Sequence, residues 1–169
     1  MKFSVWPNPS RTPAEVLDLA RMADDDWFGF WYADHFMPNT GDESLLPGDV
    51  HECWAILPAV AALTSRIRLG PLVAPTSVHH PAVLANRAAT IDRLSGGRME
   101  LGIGVGWLEE EFDALGVPWP RRGARTDEYV HATRELWESD DASYDGEFVS
   151  FENVSSNPKP ANGSVPFTI

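Results

Sequence analysis

A chain of 169 residues can bury one good core and is short for two domains, so a single domain over residues 1–169 is expected. Its formal net charge is -12, from 25 acidic residues against 13 Lys and Arg, which makes nucleic acid and anionic membranes poor partners. The lone cysteine, Cys53, excludes an internal disulfide framework; with no signal-like or membrane-spanning apolar run, a reducing cytoplasm is the expected location.

In chain order, strand-like and helix-like stretches alternate. Residues 2–6 read as a first strand, stopped by Pro7-Asn8-Pro9. Thr12-Pro13-Ala14-Glu15 carries a helix start at successive positions, with Thr12 as N-cap, Pro13 at N1 and Glu15 at N3 to complete a capping box. Val16, Leu17, Ala20 and Ala23 continue it as an apolar stripe. Residues 27–32 are a nearly unbroken apolar and aromatic run, which suits a strand covered on both faces. A polar loop over 37–49 follows, then a helix over 50–63 and a third strand over 67–73. Pro81 opens the next helix, and Ser95-Gly96-Gly97 closes it. Residues 99–103 form the fourth strand, a helical turn opens at Glu109, and a larger helix runs over 126–137. Residues 142–151 read as a hairpin turning at Asp145-Gly146, and 165–169 begin another strand.

Such alternation predicts an α/β fold with parallel strands joined by right-handed crossovers. An open doubly wound sheet and a closed eight-stranded barrel both satisfy it. The chemistry-bearing residues fall just past the ends of successive strands: Asp34-His35, then Val73-Ala74, then Gly104-Val105-Gly106-Trp107. Both architectures place sites there, but the first strand ends in no glycine fingerprint of the open-sheet kind. Gly-x-Gly at a strand end is either tight packing or a place where backbone approaches a ligand, and its spacing alone does not choose.

Four motifs in order carry a resemblance: Trp31-Tyr32-Ala33-Asp34-His35-Phe36; Leu69-Gly70-Pro71-Leu72-Val73-Ala74-Pro75 leading to His80-Pro81-Ala82; Arg93-Leu94-Ser95-Gly96-Gly97-Arg98; and Leu101-Gly102-Ile103-Gly104-Val105-Gly106-Trp107. Together they resemble the bacterial luciferase-like monooxygenase superfamily, and within it the coenzyme F420-dependent oxidoreductases. The resemblance implies a (β/α)8 TIM-type barrel, usually of about 250 residues, of which this chain would be about the first half: four strand–helix units and the start of the fifth strand.

What the resemblance implies about the site is specific. His35 would be the catalytic residue, moving a proton or polarising substrate beside the cofactor, where the plainer reading has it cap a strand. Asp34 would accept bonds from cofactor hydroxyls or fix the His35 ring. Leu72, Val73 and Ala74 would back the flavin-type ring, with a non-prolyl cis peptide at Leu72–Val73. Gly104, Val105, Gly106 and Trp107 would contact the cofactor through backbone groups, and Trp6, Trp31 and Trp107 would face the barrel mouth. Trp107 stands where the sugar-phosphate dehydrogenase branch looks to have an acidic residue, which argues against that sugar substrate and leaves Glu109 as the candidate acid. Arg121, Arg122 and Arg125 would pair with Glu109 to Glu111, Asp127 or Glu128, or else bind an anionic cofactor tail. No metal site is expected, and His51, His79, His80 and His131 are assigned no chemistry. The implied cofactor is coenzyme F420, with FMN as the alternative in a monooxygenase; the expected partners are a small-molecule substrate and a second copy in a homodimer. A non-catalytic half-barrel acting as a binding module is the reading from a different class.

Overall fold

The computed structural model describes residues 1–38 and 48–169; most of the loop expected over 37–49 lies outside them. Strand β1 (Ser4–Val5) leads to helix α1 (Pro13–Ala23), which starts as its sequence requires. The Thr12 hydroxyl accepts from the Glu15 N–H at 3.3 Å, and the Glu15 carboxylate accepts from the Thr12 N–H at 3.0 Å, so two N-terminal donors are satisfied reciprocally. Val16, Ala20 and Ala23 form its buried stripe.

Strand β2 (Gly29–Tyr32) lies parallel between β1 and β3 (Arg68–Pro71), and helix α2 (Cys53–Leu63) joins β2 to β3. The third strand, predicted over 67–73, ends sooner, at Pro71, and a separate short strand follows it. At Leu72–Val73 the backbone passes through a cis peptide, and β4 (Ala74–Pro75) pairs with β5 (Leu101–Gly104) instead of β2. Its apolar composition runs straight through this break, because both halves are buried. Helix α3 (Pro81–Ser95) closes on Gly96 at φ +68°, the left-handed position that stops it. A parallel bridge from Leu69 to Met99 ties β3 to the approach of β5.

Beyond β5 come α4 (Glu109–Leu115) and α5 (Arg122–Glu138). Helix α5 begins four residues before the position read from sequence, after Arg121 in a left-handed conformation. The hairpin of β6 (Ala142–Asp145) and β7 (Ser150–Val154) turns through four residues, where a two-residue turn was expected. Its loop is held by Glu128, whose carboxylate accepts from the N–H groups of Glu147, Phe148 and Val149 at 2.7–2.9 Å. Strand β8 (Phe167–Thr168) pairs parallel with β5, so the parallel strands form two three-stranded sheets, β1-β2-β3 and β4-β5-β8, each in chain order. Phe30, Tyr32, Leu69 and Leu101 meet Val16, Leu57, Leu84 and Leu136 in one core between strands and helices. No helix among the described residues is long and apolar enough to cross a membrane.

Candidate functional site

The tips of β2, β4 and β5 converge on one cleft of about 1030 Å³. Its wall on one side is the loop after β1, Trp6 to Ser10; on the other lie Leu72, Val73, Pro75 and the run Gly104 to Trp107, with His35 between. The Tyr32 hydroxyl, pushed up to about 12 by burial and the nearby Cys53 thiol, stays neutral and reaches the Pro9 carbonyl at 3.5 Å. Of the predicted residues, His35, Leu72, Val73, Gly104, Val105, Gly106 and Trp107 line this cleft, whereas Asp34 and Ala74 do not.

Asp34 is 8% exposed and has both its roles elsewhere. It accepts from Trp54 Nε1 at 3.0 Å, and its Oδ2 lies 2.7 Å from His79 Nε2. It therefore braces α2 and the segment after β4, and does not hold the His35 ring. His79, to which sequence reading assigned nothing, is its partner. Ala74 is fully buried in β4, with Pro75 taking its place in the cleft wall. Trp31 also departs from expectation: its ring lies over Gly29, where an added Cβ would come within 2.5 Å of it, while Trp6 and Trp107 do line the cleft.

The ring of His35 is held by Glu111, the third glutamate of α4. Glu111 Oε2 lies 2.9 Å from His35 Nδ1, and its Oε1 accepts from the N–H groups of Phe36 at 2.9 Å and Met37 at 3.1 Å. On the other side Trp107 meets the imidazole edge-on at 5.6 Å between ring centres. Glu109, the acid considered from sequence, is exposed. The signal for Glu111 was present: it falls three residues after buried Leu108 and beside buried Phe112, on the inward face of a helix whose other opening glutamates face water.

The glycines of β5 serve packing first. A Cβ at Gly102 would run into the Pro71 carbonyl, and one at Gly104 would meet Val73 Cγ2 at 2.5 Å, so their absence lets the β3–β4 break press onto β5. Gly106 turns at φ +81° against the Phe112 ring. Arg122 Nε donates to the Gly106 carbonyl at 3.2 Å, with its guanidinium 3.7 Å above Trp119. Arg121 pairs with Glu147, and Arg125 donates to the Pro118 carbonyl at 2.7 Å, so neither has the partners expected from sequence.

A family model described as luciferase-like monooxygenase matches residues 1–169. The chain belongs to that family. Among curated relatives, the F420-dependent glucose-6-phosphate dehydrogenase of Amycolatopsis mediterranei is 33% identical over 88% of this chain and 45% of its own length. The FMNH2-dependent dimethylsulfone monooxygenase of Pseudomonas fluorescens is 35% identical over 65% of this chain and 31% of its own. The crystal structure of the monooxygenase RslO1 from Streptomyces bottropensis superposes with a TM-score of 0.83 at 31% identity, over 99% of this chain and 52% of that one. The luciferase-like α/β fold is thus shown for this chain, which spans about half the length of the curated relatives it matches.

The cleft suits a flat flavin-type ring. Its volume is ample, its walls at Leu72, Val73, Val105 and Trp107 are apolar, and among its described lining residues His35 is the only titratable side chain.

Proposed function

We propose that the chain is the cofactor-binding half of an oxidoreductase that transfers hydride between coenzyme F420 and a small organic substrate. The observation that carries this reading is the meeting of His35, the Leu72–Val73 break and the Gly104 to Trp107 turn in one cleft at the strand tips. F420 is preferred to FMN because the Asp34-His35-Phe36 and Gly104 to Trp107 motifs resemble the deazaflavin branch, and because the F420-dependent relative aligns over more of this chain. The bound deazaflavin would supply the hydride-accepting or hydride-donating carbon.

Each protein group then has a task. Leu72, Val73 and Val105 would exclude water and support the ring, and the backbone of Gly104 to Trp107 would fix its position. His35 would hold or release the proton that accompanies hydride transfer, through the ring nitrogen that Glu111 leaves free. A reduced-FMN monooxygenase is the second reading, supported by the relatedness to the dimethylsulfone monooxygenase and to RslO1.

Absorbance and fluorescence titration of the full chain with F420 and with FMN separates these readings. Micromolar F420 binding that weakens in Val73→Asp is the expected result. Binding of FMN alone overturns the choice of F420. A soluble, monodisperse chain that binds neither supports a non-catalytic binding module, and its elution volume reports whether a second copy is its partner.

A further inference from the structure

We propose that Glu111 is a positioning residue that sets the tautomer of His35, keeping the ring proton on Nδ1 and presenting Nε2 to the cleft as the proton acceptor. This rests on the reading of His35 as the proton-handling group, and it follows from what surrounds the carboxylate. Glu111 is 4% exposed, while Glu109 and Glu110 on the same turn are exposed. Its Oε1 receives two backbone N–H groups, from Phe36 and Met37, and a peptide N–H has no other role than donor. Those two bonds orient the carboxyl plane and leave Oε2 facing Nδ1 at 2.9 Å.

Only one proton fits between Oε2 and Nδ1. An ionised carboxylate is purely an acceptor, so the proton belongs to the imidazole, and the lone pair of the neutral ring is on Nε2. Among the described residues Nε2 has no protein partner. One carboxyl group therefore engages three consecutive residues just past β2, and it stands on α4, directly after the turn that carries Trp107. The same contact that fixes the loop fixes the chemistry of the ring.

Glu111→Gln separates the two effects. Its amide oxygen still accepts from Phe36 and Met37, but its NH2 donates to Nδ1 and drives the ring to the Nε2–H form. The test is long-range 1H–15N correlation NMR of the full chain, with His35 identified by its loss in His35→Gln, at a pH where the ring is neutral. The wild type is expected to show the Nδ1–H pattern, and Glu111→Gln the Nε2–H pattern with the rest of the spectrum retained. A wild-type ring already in the Nε2–H form overturns the proposal even if the variant does not fold, and so does a folded Glu111→Gln with an unchanged tautomer. The tautomer is read without cofactor, so a failure to bind F420 or FMN would count against the proposed function and leave this result standing.

Discussion

Replacing Gly106 by alanine makes two demands on the site at once, and Gly116 offers the control that separates them. Both residues sit in the left-handed region, Gly106 at φ +81° and Gly116 at φ +67°. An alanine at either place incurs strain of about 1–2 kcal/mol. At Gly116 that is all, because nothing lies within 4 Å of the new Cβ. At Gly106 the Cβ would come within 2.6 and 2.7 Å of Phe112 ring atoms and 3.2 Å of Pro75 Cβ. Phe112 has no room to withdraw, being 1% exposed and packed edge-on to Trp119 at 5.0 Å. Overpacking of this kind adds about 1–3 kcal/mol. Urea unfolding should then show a loss of about 1–2 kcal/mol for Gly116→Ala and about 2–5 kcal/mol for Gly106→Ala, or midpoints lower by roughly 0.5–1 M and 1–2.5 M at a slope of about 2 kcal/mol per M. The displaced turn also carries Trp107 and the carbonyl that Arg122 engages, so in the F420 and FMN titrations cofactor affinity should fall in Gly106→Ala alone. Equal midpoint shifts in the two variants would refute the packing argument.

Two further outcomes follow from groups away from the cleft. Partial burial pushes the Asp24 carboxyl up, but bonds from the N–H groups of Ile67, Arg66 and Ser65 and from the Ser65 hydroxyl overcome this and hold it at about 2. Its folded value lies below its ordinary one, so its contribution is complete above about pH 4 and disappears as pH falls toward 2; allowing for solvent screening, Asp24→Asn should remove on the order of 1 kcal/mol at pH 7 and less at pH 2, read by urea midpoints at the two pH values. Burial, with the charges of Asp34 and Glu52, pushes the Cys53 thiol well above its usual range, so a thiol reagent should label the native chain only as fast as it unfolds, and an immediate native-state reaction would contradict the packing of α2.

Local rules were legible in the sequence, and long-range pairings were not. The capping box of α1, the proline start and glycine stop of α3, and the order of strands and helices all depend on residues within a few positions of one another. The split between β3 and β4 was hidden because its residues are apolar on either side; only the likeness to a known family pointed to Leu72–Val73. In the site, the residues at strand tips could be named because parallel strands put their ends together. Their bonding could not, since Glu111 is 76 residues from His35 and Asp34 is 45 from His79. Runs of charge misled most: three glutamates and three arginines read as mutual surface partners, yet Glu111 turns inward, Arg122 reaches the glycine turn and Arg121 pairs with a hairpin residue.

The alternation within the strands bears on the architecture that the element order left open. In β2, Phe30 and Tyr32 are fully buried on the helix side, while Gly29 and Trp31 occupy the opposite face. In β3, Leu69 joins the core between Arg68 and Gly70, and in β5 Leu101 and Ile103 alternate with Gly102. On that second face Arg68 pairs with Glu100, and the Thr168 hydroxyl donates to Glu100 at 3.2 Å. A doubly wound sheet has helices over both faces and needs apolar side chains on each. Here one face is large, apolar and helix-covered, and the other carries glycine, tryptophan and an ion pair. That is the division expected where strands curve around an interior, with close-set glycines letting β3 and β5 approach and polar groups meeting one another across it. The cleft lies at the strand-tip end of this second face, where Gly102 and Gly104 let Val73 press onto β5 beside His35.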